Sequence, residues 1–241
     1  MEENVLDQYK VDNVAQGEIV KSFMSNVFSY MTLALVISGL AAYVFGTTES
    51  LIRLMYNLET GGRSIIGWIV AIAPLGLVLL MGFRYQKFSF TGMLGVFVVF
   101  SFLIGASLGS IFLAYSTGTL ATTFLVTAGT FGVMALVGYT TKTDLTKLGS
   151  ILGMALIGLI IAMVVNWFLQ SSMMDYVISG IGVLIFTGLT AYDTQKLKRI
   201  AMTVEANSED AKKQVIMGAL SLYLDFINLF LFLLRFLGGR D

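Results

Sequence analysis

Two aspartates, Asp193 and Asp225, lie within or at the edge of long apolar runs of the chain. A carboxylate inside a bilayer costs about 2.5–3.5 kcal/mol on insertion scales, so it is retained where it faces protein or a water-filled path. Such a group usually has a partner. We therefore expect Asp193 and Asp225, on adjacent spans, to form one shared site.

The chemistry open to this pair is proton exchange and weak cation contact. Two carboxyl groups within hydrogen-bonding reach share protons and titrate as a unit. The pair could sense pH in a chain that has no histidine. Carboxylate oxygens also suit calcium, but two aspartates cannot fill its six to eight ligand positions. Asp193 and Asp225 are therefore predicted to contact calcium weakly and transiently.

Other polar residues are spaced to support the pair. Ser221, Asp225 and Asn228 are four and then three positions apart, which places them on one face of the last span. Thr190 lies on a threonine stripe of the preceding span, and Asp193 is at the edge of that stripe. We expect this face of the last span to line the site.

The composition indicates a membrane protein. Of 241 residues, 56% are hydrophobic and 12% charged, whereas soluble domains carry roughly 25% charged residues. Since about 20 apolar residues cross the hydrocarbon core, the sequence predicts an all-α membrane protein with seven spans. They are Val27–Gly46, Ile65–Phe83, Thr91–Tyr115, Leu120–Thr140, Gly149–Gln170, Tyr176–Thr194 and Val215–Leu237.

The spans form a single predicted domain between polar ends. Residues 1–24 are read as an acidic cytoplasmic or interfacial tail, 25–238 as the membrane domain and 239–241 as a C-terminal tail. Residues 195–214 form a charged cytoplasmic hairpin, part of which could extend the flanking helices. In that case the last helix begins before the membrane, and the two aspartates become level.

The distribution of basic residues predicts the orientation. With the N-terminus inside, 11 of the 15 Lys and Arg residues fall in cytoplasmic segments, as the positive-inside rule requires. The N-terminus is therefore expected in the cytoplasm, and the short tails suggest a bacterial inner membrane. On the third span, Ser101, Gly105 and Gly109 are four apart, a spacing that favours close helix packing.

Several function classes are disfavoured. A net charge of zero gives no electrostatic support for nucleic-acid binding, and the absence of Cys and His removes common catalytic and metal-binding groups. An intramembrane aspartyl protease would use an aspartate pair, and Tyr192-Asp193 resembles its first motif. However, Ser221-Leu222-Tyr223-Leu224 precedes Asp225 in place of the glycine-containing second motif. The chain shows no inverted repeats, which a proton-coupled carrier would be expected to have. Its last span has no lysine, which a retinal protein would need. We expect a protein that is not an enzyme and holds no cofactor.

The last span carries a long motif, Ala219 to Phe230 followed by Leu233-Leu234-Arg235, that resembles the signature of the Bax inhibitor-1 family. Tyr192-Asp193 before a basic run also matches. The resemblance implies six helices packed around a central seventh, and a pH-sensitive calcium leak in which Asp193 and Asp225 share a proton. It further implies that Arg84, at the end of the second span, latches onto the pair.

The sequence also allows a second function class. The protein could instead regulate a membrane protease or a cell-death factor, with the two aspartates serving a structural role. The charged hairpin and the acidic tail would then be the surfaces that such a partner contacts.

Overall fold

A computed structural model describes residues 2–57, 62–205 and 208–238, with side chains described from residue 16 onward. The described elements are helical, and short links join them. They are α1 (Glu2–Thr47), α2 (Glu49–Met55), α3 (Ile65–Phe83), a 3₁₀ turn (Tyr85–Lys87), α4 (Phe90–Leu108), α5 (Ile111–Ala114), α6 (Thr117–Thr140), α7 (Thr146–Leu169), α8 (Ser172–Ala201) and α9 (Glu209–Leu237).

Seven helices of the described residues are long and apolar enough to cross a membrane, with α4 and α5 together forming one span. This confirms the predicted all-α fold with seven spans. Helix α9 is central: 67% of its most apolar stretch is buried, against 11% for α7. It packs against α1, α4, α6 and α8, whereas α3 packs chiefly on α4 and α7 chiefly on α8.

Aromatic side chains fix α9 within the bundle. Tyr223 is fully buried, and its hydroxyl lies 2.6 Å from that of Ser38 on α1. The Ser38 hydroxyl donates to the carbonyl of Ser101 on α4 at 2.7 Å, so the Tyr223 hydroxyl must be the donor to Ser38. Three helices are joined by this buried chain of hydrogen bonds, which leaves none of its hydroxyl groups unsatisfied.

Small residues allow the helices to approach closely, as the sequence predicts for the third span. A Cβ atom added at Gly105 would collide with the backbone of Ser38, and one at Gly109 would press on Phe45. On α6, a Cβ at Gly138 would collide with the carbonyl of Ala191 on α8. At these contacts α4 packs closely on α1, and α6 packs closely on α8. The second contact, at Ala191, is two residues before Asp193.

Helix α1 starts well before the predicted first span. It begins at Glu2, whereas the sequence predicts a tail over residues 1–24 and a first span from Val27. Val20, Phe23, Met24 and Val27 are all buried and recur at helical spacing. Residues 20–27 are therefore held as helix by the packing of one face, a signal that the acidic residues before them conceal. Residues 239–241, predicted as the C-terminal tail, lie outside the described residues.

The predicted hairpin over residues 195–214 is largely helical. Helix α8 continues to Ala201, and α9 begins at Glu209 after Ser208, whose side chain accepts a hydrogen bond from the backbone N–H of Ala211. Such a cap satisfies a backbone donor that the helix leaves free. Both helices therefore extend past the apolar runs, and this places Asp193 and Asp225 at the same height along the bundle.

Candidate functional site

The structure places Asp193 of α8 beside Asp225 of α9. Asp225 is only 6% exposed, whereas Asp193 is half-buried, and the two carboxyl groups lie within hydrogen-bonding reach of each other. The Ser221 hydroxyl, one turn before Asp225, donates to Asp193 Oδ2 at 2.6 Å. These three predicted residues form one polar cluster between the last two spans.

One oxygen of this cluster has no donor. Among the described residues, the buried Oδ2 atom of Asp225 has no hydrogen-bond partner. Two ionised carboxylates can only accept hydrogen bonds, so the pair cannot satisfy itself in that state. A proton carried by either group would supply the missing donor, because a protonated carboxyl donates through its O–H.

Two cavities meet at the acid pair. Here the link end of the bundle is the end where α8 passes into α9, and the opposite end is the far end. The link-end cavity, about 440 Å³, lies between α3, α8 and α9 and includes Lys196 and Gln214. The far-end cavity, about 500 Å³, lies between α7, α8 and α9 and reaches Arg235. Asp193, Ser221 and Leu224 line both cavities, whereas Asp225 and Asn228 line only the far-end one.

Arg84 does not contact the pair in this conformation. Its side chain is exposed and forms no hydrogen bond or ion pair within the described part of the chain, and its backbone N–H caps the end of α3. Lys196 is a basic residue that lines the link-end cavity with Asp193, and sequence reasoning missed it. Its position three residues after Asp193 on α8 is the signal that could have identified it.

The remaining predicted residues have mainly packing contacts. The Thr190 hydroxyl donates to the carbonyl of Phe186 on its own helix, at 2.8 Å. Tyr192 faces α7, where its ring occupies the space above Gly149. Asn228 lines the far-end cavity, and its side-chain amide donates to the carbonyl of Leu224 at 2.8 Å. Of these, Asn228 alone lines a cavity with the acid pair.

A polar network secures the link end of α8. Arg199 donates to Asp144 Oδ1 at 2.6 Å and to the oxygen of Gln195 at 2.7 Å, and Gln195 in turn bonds to the backbone of Thr143 and Leu145. Hydrogen bonds from Thr146 and from Arg199 hold the pKa of Asp144 well below its usual range. Asp144 therefore stays charged above pH 5, and this network contributes no titration near neutral pH.

A second connection joins the α3–α4 link to α9. The Tyr85 hydroxyl donates to Asp210 Oδ1 at 2.8 Å, and Glu209 Oε1 accepts from the backbone N–H of Phe90 at 2.8 Å. The Lys213 ammonium lies 4.8 Å from the centre of the Tyr85 ring. Burial and then the hydrogen bond to Asp210 raise the pKa of the Tyr85 hydroxyl. It therefore remains a donor at neutral pH.

No group of three or more His, Cys, Asp or Glu side chains in the described ranges is placed to hold a metal ion. Asp193 and Asp225 therefore offer a cation two carboxyl groups, without the larger oxygen cage that tight calcium sites use.

The fold and the site define a polytopic α-helical membrane protein with a buried acid pair between its last two spans. The family model described as "Inhibitor of apoptosis-promoting Bax1" matches residues 20–241. The chain belongs to this Bax inhibitor family, as the motif of the last span indicates.

Relatives from several bacteria align over nearly the whole chain. The inner membrane protein YbhL of Escherichia coli K12 is 42% identical over 231 residues, which cover 95% of this chain and 97% of the relative. A protein of Caulobacter vibrioides is 44% identical over 226 residues, covering 92% and 90%. A membrane protein of Streptococcus pyogenes serotype M1 is 35% identical over 224 residues, covering 92% and 94%. The similarity therefore extends over all seven spans.

Proposed function

We propose that the protein is a pH-sensitive calcium leak, gated by Asp193 and Asp225. The observation that carries this proposal is the position of Asp193 and Ser221, which line a cavity on each side of the pair. A cation that crosses between the two cavities must pass the carboxyl oxygens. Oxygen ligands of this kind suit calcium, and their small number favours transient contact over storage.

The pair supplies the pH response. Two nearby carboxylates at this depth cannot both carry a charge cheaply, and the unpartnered Oδ2 atom of Asp225 would accept a shared proton. Acidification adds a proton and removes one negative charge. This weakens the attraction of the pair for a basic side chain, which is how a proton would release the gate.

Arg84 is the basic side chain that we assign as the latch of the shut state. Arg84 is exposed in this structure, so the link end of α3 must move toward α8 before its side chain can reach the pair. Helix α3 packs chiefly on α4 and not on α9, so the hydrogen bond from Tyr85 to Asp210 is the contact with α9 that this motion must break or carry along. A charge-assisted hydrogen bond contributes about 1.5–3 kcal/mol, enough to shift a near-balanced equilibrium ten-fold or more.

The leak would operate in a bacterial inner membrane with the N-terminus in the cytoplasm. The basic residues favour that orientation, and the similar Escherichia coli protein is named an inner membrane protein. Lipid, calcium and protons would be its main partners.

Calcium flux into proteoliposomes, measured between pH 5 and 8, tests the gate. We expect Asp193→Asn and Asp225→Asn to abolish the pH dependence, because neither amide can share the proton. Asp144→Asn is the matched control and should keep the wild-type profile, since Asp144 stays charged over this range. An unchanged profile in both pair variants would refute the proposal.

The name of the family refers to inhibition of a cell-death factor, and this favours one alternative. In that case the protein would regulate a partner, such as a membrane protease or a cell-death factor, and the acid pair would be structural. Calcium flux through the purified protein alone supports the leak. Absence of flux through purified protein that is folded by circular dichroism supports regulation.

A further inference from the structure

An apolar groove runs along the bundle between α1 and α6. It consists of two cavities of about 470 Å³ and 610 Å³ that share Leu35, Phe124 and Phe226. Helices α1 and α6 each pack against α9 and make no extensive contact with each other, so α9 forms the floor. We call this feature the α1–α6 groove.

The groove is as long as the bilayer is thick. On α1 its lining runs from Lys21 at the link end to Tyr43 at the far end, about 33 Å at the helical rise of 1.5 Å per residue. The hydrocarbon core of a bilayer is about 30 Å thick. The groove therefore faces hydrocarbon over most of its length, and hydrocarbon is what the surroundings can supply to fill it.

The walls of the groove suit an acyl chain. The central lining is aliphatic and aromatic, with exposed Phe124, Leu125 and Leu136 at 44%, 70% and 63%. The Ser38 hydroxyl is already engaged with Ser101 and Tyr223, so it offers no binding site to water. An apolar stretch of this kind does not hold water well.

Positive charge lies at the link end of the groove. Lys21 lines the mouth of the cavity there, and Lys142 is exposed just beyond the end of α6. The ammonium of Lys198 donates to the carbonyl of Tyr139, another lining residue, at 2.8 Å. Glu18, one turn before Lys21, lines a separate cavity beside α9 and so faces away. The mouth therefore presents a net positive charge.

We propose that the α1–α6 groove is a phospholipid site that takes an acyl chain of an anionic lipid from the leaflet at the link end. The chain lies against Phe226 and Phe131, and the phosphate of the headgroup contacts Lys21. This binding does not depend on the leak, but it would place a lipid against the residue that follows Asp225.

Native mass spectrometry of the full-length protein tests the site, with phosphatidylglycerol and phosphatidylcholine added in equal amounts. We expect wild-type protein to retain several-fold more phosphatidylglycerol. Lys21→Gln should reduce this preference about five-fold, the effect of one basic residue near an anionic surface. Equal retention of the two lipids by wild-type protein, or an unchanged preference in Lys21→Gln, would overturn the assignment of the headgroup.

A groove-filling variant tests the site of the chain. A Cβ atom at Gly132, which lines the groove, meets nothing within 4 Å, so Gly132→Phe should fold and should lose the retained lipid. Gly129→Phe on the same helix is the matched control, because Gly129 is exposed and does not line the groove. Lipid retention by Gly132→Phe equal to that of the control would overturn the proposal. So would a lipid-free wild-type dimer that Gly132→Phe dissociates, which would assign the groove to a second copy.

Discussion

At the scale of single residues, Ser221 distinguishes the two aspartates. Its hydroxyl donates to Asp193, whereas Asp225 has an oxygen without a donor. This hydrogen bond orients the Asp193 carboxyl group, and the half-buried position of Asp193 keeps it on the lining of both cavities. Within the proposed gate, Ser221 therefore positions one member of the proton-sharing pair.

We expect Ser221→Ala to change the midpoint of the flux–pH curve by up to about one pH unit, since 1.36 kcal/mol corresponds to one unit. Loss of the hydroxyl removes the hydrogen bond that orients the Asp193 carboxyl group. Ser29→Ala is the control, because the Ser29 hydroxyl bonds only to the carbonyl of Ser25 on its own helix. A midpoint that stays unchanged in Ser221→Ala would argue against this role.

At the scale of elements, α3 and its connection to α9 form the part of the bundle that the proposed gate would move. Helix α3 rests chiefly on α4, and the Tyr85–Asp210 hydrogen bond joins the link after it to the start of α9. The raised pKa of Tyr85 keeps this donor protonated up to and beyond its usual value of about 10. The connection is therefore lost only in strongly alkaline solution, and it constrains the gate without responding to pH near neutrality.

Tyr85→Phe should loosen this connection while leaving the fold intact. We expect faster amide hydrogen exchange in residues 85–87 and in the first turn of α9, with little change in thermal stability because the contact is part-exposed. Tyr30→Phe serves as the control, since it keeps the ring contact with Phe90 and removes a hydroxyl with no hydrogen bond among the described residues. Unchanged exchange in Tyr85→Phe would show that Glu209 and Lys213 hold the connection alone.

Close packing of α6 on α8 predicts a different kind of effect. Gly138→Ala places a methyl group against the carbonyl of Ala191, and forcing extra volume into a packed interface costs about 1–3 kcal/mol. We expect a lower thermal unfolding temperature in detergent. Gly129→Ala, whose added Cβ meets open space, should match or exceed wild-type stability because alanine favours helix by about 1 kcal/mol. Equal temperatures for the two variants would contradict the close approach.

At the scale of the whole molecule, seven complete spans would place the two ends of the described chain on opposite sides of the bilayer. In the proposed orientation, which the basic residues favour, the N-terminus and the α8–α9 link lie on the cytoplasmic side. The link end of the bundle, with Lys21, Lys196 and Tyr85, would then face the cytoplasm, and Arg235 would face outward. Calcium would enter the proposed path at the Arg235 end and leave beside Lys196.

Single-cysteine labelling tests this topology, because the chain has no cysteine of its own. In intact cells, a membrane-impermeant maleimide should label Met173→Cys, which is exposed at the start of α8. It should not label Thr203→Cys, which is exposed after the end of α8, until the cells are lysed. The reverse pattern would invert the orientation and the direction of the proposed path.

The sequence by itself determined the seven spans, the family motif and the candidate pair, because apolar length and a charged residue within it are local properties of the chain. It could not predict that α1 is already helical before Val27, since Val20 and Phe23 are held there by burial against other helices. Only the tertiary structure decided that the Ser221 hydroxyl reaches Asp193 across the helices, that Arg84 stands apart, and that a groove opens between α1 and α6. The spacing of Ser221 and Lys196 indicates a face of their own helices, whereas contacts between helices join residues far apart in the chain.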